Sequence, residues 1–228
     1  MRSIPYLLLG LLCGALWGQD PPVPPKVYRV GNDVLAPRIL QKSDPGYTDE
    51  ARIAKLAGSV LLSLVIDEQG VPRDIRVIKS VGLGLDESAV STVSQWRFAP
   101  GTRDNQPVRV ASTIETTFRL LIDSRMWHLS RASFQVAADM TKPRVQSAPY
   151  AAPSGPEQEA TARVAFDIDP QGVPLNAQIE NSSDPVFNND VLTMIQAWRF
   201  QPATKGGAPV QSHAIFDFSR GDATVRRQ

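Results

Sequence analysis

The 228-residue chain carries 24 basic and 23 acidic side chains, which gives a formal net charge of +1. This balance argues against the strongly basic surface that nucleic-acid binding requires. A hydrophobic content of 42% is typical of a folded protein rather than a disordered one. A single cysteine excludes both a disulfide framework and a thiolate zinc site.

The first residues predict export. Arg2 precedes an apolar run over residues 4–17, and Gly18 follows it. A short basic start, an apolar stretch and small residues near its end are typical of a secretory signal peptide, here residues 1–18. The run is shorter than the roughly 20 residues that cross a bilayer core, which disfavours the alternative of an uncleaved membrane anchor.

An internal repeat divides the rest of the chain. Residues 66–72 (IDEQGVP) match 168–174 (IDPQGVP), and residues 96–100 (WRFAP) match 198–202 (WRFQP), both at an offset of 102. Two copies of a small globular unit are therefore predicted. The boundaries are a Pro-rich lead-in over 19–35, copy 1 over 36–120, a connector over 121–141, copy 2 over 142–220 and a tail over 221–228.

Copy 1 predicts an α+β fold, with an antiparallel sheet and two helices on one face. The turn 67–70 connects two of its strands, and the last strand is the longest. In chain order the predicted elements are a helix capped by Thr48 or Asp49 and running through Lys55, strands 59–66 and 72–79, a helix over 85–96, and a strand over 108–120.

Copy 2 repeats this pattern with changes. Proline-rich residues 147–159 replace the first helix, and the second helix is expected near residues 188–198, with capping oxygens from its Asn-Asn-Asp start. The connector carries Trp127, Leu129, Phe134 and Val136. It is too apolar for a flexible linker and predicts an extra strand.

Both copies carry a set of motif residues in the same order. They are Tyr47, Gly70, Leu85, Asp86, Trp96, Arg97, Phe98 and Pro100 in copy 1, and Gly172, Trp198, Arg199, Phe200 and Pro202 in copy 2. These motifs resemble those of the TonB C-terminal domain family, although copy 2 lacks the Tyr and Leu-Asp segments. The resemblance implies two tandem TonB C-terminal-like domains, each a small antiparallel sheet with one or two helices on one face.

The resemblance implies a binding module rather than an enzyme. Family members form the periplasmic end of an energy transducer that grips outer-membrane transporters by adding a partner strand to the exposed last strand of the sheet. An edge strand offers unpaired N–H and C=O groups for such pairing. In copy 2 the matching strand is 210–218. In copy 1 the expected contact residues are Val108, Arg109, Val110, Ser112, Ile114, Glu115, Thr117 and Phe118.

Several alternatives stay open. Residues 19–36 are a short connector for a transducer that must reach across the periplasm, so a periplasmic binding or adaptor protein is favoured. Its expected partner is a protein, such as a TonB-dependent outer-membrane receptor. The alternatives are an energy transducer anchored in the inner membrane, a scaffold that forms homodimers through its edge strands, and an edge that charge merely protects.

No catalytic, cofactor or metal site is predicted. Trp96 and Trp198 are interpreted as core residues, and Arg97 and Arg199 as locally paired. The pattern Asp167-x-Asp169 resembles the start of a calcium loop, but Gln178 stands where that loop needs a glutamate. A hairpin turn is expected there instead.

Overall fold

The computed structural model describes residues 26–31, 33–119, 127–149 and 158–221. The predicted signal peptide lies outside these ranges, as does most of the predicted tail. Among the helices of the described ranges, none combines the length and the apolar character needed to cross a membrane.

Copy 1 is an α+β unit with three antiparallel sheets and two helices. The elements are β1 (Val34–Leu35), β2 (Arg38–Gln41), α1 (Asp49–Ile53), β3 (Gly58–Ile66), β4 (Pro72–Lys79), α2 (Leu85–Ser94), β5 (Arg97–Ala99), β6 (Gly101–Arg103), β7 (Gln106–Val108) and β8 (Val110–Phe118). The main sheet has the order β4-β3-β8, and the two smaller sheets are β2-β5 and β1-β6-β7. Helix α2 packs against β3 and β4.

The two helices of copy 1 begin where local chemistry favours them. The hydroxyl of Thr48 accepts a hydrogen bond from the Ala51 N–H, so Thr48 is the N-cap of α1. Helix α2 buries Leu85, Ala89 and Val93, which share one helical face. It ends at Ser94, two residues before the predicted end.

Copy 2 has a four-stranded antiparallel sheet with the order β12-β11-β16-β9, and α3 packs against β11 and β12. The helix begins earlier than predicted, because Asp184 rather than the Asn-Asn-Asp run caps it. The elements are β9 (Trp127–Gln135), β10 (Arg144–Ser147), β11 (Ala160–Ile168), β12 (Pro174–Ser182), α3 (Pro185–Ala197), β13 (Arg199–Gln201), β14 (Ala203–Lys205), β15 (Ala208–Val210) and β16 (Ser212–Arg220).

Strand β9 lies in the predicted connector and contacts both copies. One of its edges pairs with β16. On the other side, the N–H and C=O of Leu129 bond to the backbone of Lys55 and Ala57, and the Ala132 N–H donates to Val81 O at 2.8 Å. The buried apolar residues of both copies form one continuous core through this strand.

The repeated Gly and Phe motif residues make the same contact in each copy. The Phe98 N–H donates to Gly70 O at 3.0 Å, and the Phe200 N–H donates to Gly172 O at 2.9 Å. Both glycines have positive φ, and a Cβ on either would lie 1.8 Å from the carbonyl oxygen of its phenylalanine. Only glycine allows this close approach of turn and strand.

Candidate functional site: the outer edge of strand β8

The predicted partner strand of copy 1 is shorter than residues 108–120. Val108 lies on β7, which pairs with β6 in a separate small sheet, and Arg109 lies between β7 and β8. Those two residues are therefore not part of the edge strand. The chain leaves the small sheet at Val108, where the β6–β7 hairpin ends, and enters the sheet of β3 at Val110.

Strand β8 is the regular edge of its sheet. It pairs with β3 over nine consecutive residues without a register shift. The opposite edge, β4, has two register shifts and a positive φ at Asp74, and it carries Arg73, Arg76 and Lys79. Bulges and charges protect a strand edge from pairing. Over the described residues, β8 has no bulge and carries one charged side chain, Glu115.

The contact of Tyr28 shows which backbone groups of β8 point outward. The Tyr28 N–H donates to Arg109 O, and the Ala111 N–H donates to Tyr28 O, both at 2.8 Å. Since backbone groups alternate between the two edges, Thr113, Glu115 and Thr117 also present theirs outward. Apart from β3 and the residue Tyr28, no described segment pairs with β8. We call these outward groups of residues 112–118 the open edge.

Two surface grooves are lined in part by residues of strand β8. Groove 1, about 860 Å³, contacts β8 at residues 111–114 and is lined on its other sides by Val30, Pro37, Ile39 and Phe98, among others. Groove 2, about 620 Å³, contacts residues 115–119 and is lined by Pro45, Tyr47 and Trp96, among others. Groove 1 also reaches Val65 on β3 and Arg76 on β4, and groove 2 also contains Lys42, Asp44 and Arg119, so both grooves mix apolar and charged side chains.

One hydroxyl on this strand is buried without a partner. Thr116 is 5% exposed, and its Oγ1 has no hydrogen-bond partner among the described residues. On the outer face the neighbouring Thr117 hydroxyl is bonded to Ser59 Oγ at 3.0 Å. Because a buried unpaired hydroxyl is costly, Thr116 beside groove 2 would gain from a polar partner.

Two aromatic motif residues of copy 1, Tyr47 and Trp96, line groove 2. The Tyr47 hydroxyl donates to Leu56 O at 3.0 Å, and its ring packs edge-on against Phe118. Burial raises the pKa of Tyr47 to about 12, although the nearby Arg52 opposes this shift. The indole of Trp96 donates to Ser43 O at 3.0 Å. These contacts fix the segment before α1 opposite the open edge.

The other motif residues have structural contacts. Leu85 is fully buried, and the Asp86 carboxylate accepts bonds from the Val81 and Gly82 N–H groups. Arg97 and Arg199 donate to the carbonyl oxygens of the tryptophans that precede them. Pro100 and Pro202 each separate two short strands.

The predicted hairpin turns are held by aspartates. The Asp67 carboxylate accepts bonds from the N–H groups of Gln69 and Val71, and Asp169 accepts the corresponding pair in copy 2. These carboxylates are thereby engaged by backbone donors. No group of three or more His, Cys, Asp or Glu side chains suited to a metal occurs within the described part of the chain.

The matching edge of copy 2 is not exposed, which corrects the expectation for residues 210–218. Strand β16 begins at Ser212 and lies between β11 and β9. Strand β9 pairs with it along nearly its whole length, with one register shift. A strand predicted from the connector thus covers the edge that was expected to be free.

The sequence did not identify β16 as the partner strand of β9. The apolar residues Trp127, Leu129 and Phe134 predict a strand, but strand periodicity does not identify a partner strand. Trp127 and Leu129 are buried, and Phe134 packs against Phe200 and Phe216. The lead-in was likewise not expected to reach β8 through Tyr28.

The family is shown by comparison with known sequences. The family model of the Gram-negative bacterial TonB protein C-terminal domain matches residues 43–120 and 156–219, more than half of the chain. The chain therefore belongs to this family. The two matched segments correspond to the two copies.

One curated relative and one solved structure are also similar. Protein TonB of Vibrio cholerae serotype O1 is 30% identical over 83 residues, which cover 36% of this chain and 34% of that protein. The chain therefore spans about a third of that relative. The solution NMR structure of the Pseudomonas aeruginosa TonB C-terminal domain matches with a TM-score of 0.34 and 22% identity, over 42% of this chain and 96% of that one.

Proposed function

We propose that this protein is a periplasmic binding module of outer-membrane transport, and that it binds by pairing a strand of a partner protein with the open edge of β8. The observation that carries the proposal is the bulge-free edge at Thr113, Glu115 and Thr117, which no described segment pairs with. Membership of the TonB C-terminal family supports both the transport role and the periplasmic location.

The chemistry of the edge favours a peptide strand over a small ligand. Outward N–H and C=O groups at every second residue match the spacing of a second strand. Groove 1 offers the apolar surface of Ile39 and Phe98 for side chains of that strand, and groove 2 offers Tyr47 and Trp96 beside polar and charged residues. Main-chain bonds would supply affinity and the grooves specificity, so the role is binding rather than catalysis.

The lead-in sets one limit of the site. Tyr28 already occupies the outward groups of Arg109 and Ala111, and its ring lies 5.3 Å from the Arg103 guanidinium. Asp33 holds that arginine at 2.9 Å. A partner strand would therefore begin or end at Ser112, and the site would hold about seven residues of it, one opposite each residue of the edge.

Proline at residue 113 tests the proposal. A photo-reactive amino acid at position 115 is expected to crosslink in cells to an outer-membrane receptor, identified by mass spectrometry. Thr113→Pro should abolish the adduct, because proline removes an outward N–H. Thr113→Ala should retain it, since the backbone donor remains.

The same photo-reactive residue at Lys79, exposed on the protected strand β4, is the control position. Equal adducts from positions 79 and 115, or an adduct unaffected by Thr113→Pro, would contradict strand pairing at β8. An adduct only with a second copy of the chain would favour the self-associating scaffold instead.

A further inference from the structure

Strand β9 shows how a strand fits on this fold. Through the repeat offset of 102, Phe98 and Ile114 of copy 1 correspond to Phe200 and Phe216 of copy 2. In copy 2 the ring of Phe134 packs against both, with centroids 6.3 and 5.5 Å apart. In copy 1 the same two positions line groove 1, and no described side chain fills it.

A second pair of corresponding residues is exposed in copy 1 and buried in copy 2. Ile39 pairs with Phe98 in copy 1, just as Val145 pairs with Phe200 in copy 2. Val145 is 3% exposed, whereas Ile39 is 47% exposed. Val30, 55% exposed, lines groove 1 together with Ile39, and exposed apolar residues that cluster in this way are typical of an interaction site.

From this correspondence we propose that groove 1 is a side-chain subsite that takes a large apolar residue of the partner strand, opposite Ser112, as Phe134 lies opposite Ala214 in copy 2. This inference rests on the proposed function, because it needs a strand on β8. It adds the chemistry of that strand: an aromatic or large aliphatic residue at the position beside Tyr28.

Groove 2 is expected to select differently. Trp127 packs edge-on against Phe218 in copy 2, at a centroid distance of 5.6 Å. The residue of copy 1 that corresponds to Phe218 is Thr116, with its buried, unpartnered hydroxyl. A strand bound to copy 1 would therefore be apolar at groove 1 and carry a hydrogen-bonding side chain near Thr116.

A peptide of residues 127–135 of this chain (WHLSRASFQ) is the probe. Its fluorescently labelled form is titrated with the full chain, in parallel with the same peptide carrying Phe134→Ala. Loss of the buried aromatic ring is expected to weaken binding by about tenfold or more. The test is repeated on two protein variants, Ile39→Arg and Leu40→Arg.

The two variants distinguish an effect of groove 1 from a general effect of a positive charge on β2. Ile39 lines groove 1, whereas its neighbour Leu40, 68% exposed, lines neither groove. Both side chains are exposed enough for either variant to fold, which a thermal unfolding curve verifies. Ile39→Arg should remove the preference for phenylalanine over alanine, and Leu40→Arg should leave it intact.

The remaining outcomes are distinct. Equal binding of both peptides to the wild-type chain would overturn the subsite while leaving strand pairing at β8 intact. A phenylalanine preference that survives Ile39→Arg would place the peptide on copy 2, by displacement of β9, and would also overturn it. Absence of binding by either peptide would count against the subsite, whereas the crosslink at position 115 tests strand pairing at β8 separately.

Discussion

Strands β8 and β16 occupy corresponding places in the two copies, yet one has an open edge and the other is covered by β9. The side chains that face inward differ accordingly. Copy 1 has Ser112, Ile114 and Thr116, where copy 2 has Ala214, Phe216 and Phe218. Copy 2 is therefore built to hold one fixed apolar strand, and copy 1 keeps a more polar edge available.

The ends of the two strands show the same divergence. Phe118 packs against Tyr47 in copy 1, whereas copy 2 has Arg220 at the corresponding position and no matching tyrosine. The Arg220 guanidinium is buried and pairs with the Asp184 carboxylate at 3.0 Å. The two copies thus share the backbone turn and the core, while the edge that no described strand covers in copy 1 is an internal interface in copy 2.

The largest expected effect comes from placing proline at matched positions on the two edges. Ile215 corresponds to Thr113, and its N–H points toward β9. We expect Ile215→Pro to lower the free energy of unfolding by about 3 kcal/mol or more, because it breaks the ladder of a central strand. Thr113→Pro should cost at most about 1 kcal/mol, since an edge position tolerates proline.

Urea denaturation of both variants measures this difference. If the two prolines destabilise the protein equally, then either the edge of β8 is covered or the β9–β16 pairing is weak. Both results would remove the asymmetry between the copies.

A smaller effect is expected where β9 contacts copy 1. Gly82 has a φ of +92°, and a Cβ there would lie 2.0 Å from Ala132 O. Gly82→Ala should lower the free energy of unfolding by about 2 to 3 kcal/mol through backbone strain and displacement of β9. The control is Gly207→Ala, which has a similar φ of +85° but open space around it.

Strain alone should cost the control about 1 kcal/mol. Thermal unfolding of the two variants compares them directly. Equal losses would mean that the contact of Gly82 with β9 adds nothing to stability.

A pH dependence is expected from His128 on β9. Its side chain is buried, and burial lowers the pKa of His128 below its ordinary value. The unfolded chain then binds the proton more readily, so stability is unaffected well above the ordinary pKa of about 6.5 and falls as the pH drops below it. One proton limits the slope to about 1.4 kcal/mol per pH unit.

Unfolding curves between pH 7.5 and 5 for the wild type and His128→Gln would measure this contribution. The variant should have a flatter profile over this range. Identical profiles would exclude His128 as the source of the dependence.

The smallest expected effect concerns the ion pair between the copies. Arg144 Nε lies 2.6 Å from Glu50 Oε1, and the arginine side chain is 65% exposed. A double-mutant cycle with Glu50→Ala and Arg144→Ala should give a coupling of less than about 1 kcal/mol, because water screens the pair. A larger value would show that this contact, and not β9 alone, holds the copies together.

The sequence predicted much of the fold for local reasons. The apolar, β-branched run of residues 59–66, the aspartate-glycine turns and the Thr48 cap all act within a few residues, and the structure contains each of them. The start of α3 was misplaced, because Asp184 and the proline after it outcompete the later Asn-Asn-Asp run as a helix start. The family resemblance extended these local features to the correct α+β fold.

What the sequence by itself determined is therefore the repeat, the fold class and the existence of a strand in the connector. Tertiary structure decided which edge is free. Strand pairing depends on neighbours distant in the chain. The apolar pattern of residues 127–135 does not identify β16 as the partner of β9. The proline-rich lead-in likewise does not show that Tyr28 pairs with β8. Among the described residues, the folded arrangement leaves the outer edge of β8 unpaired beyond the contact of Tyr28 and pairs that of β16 with β9.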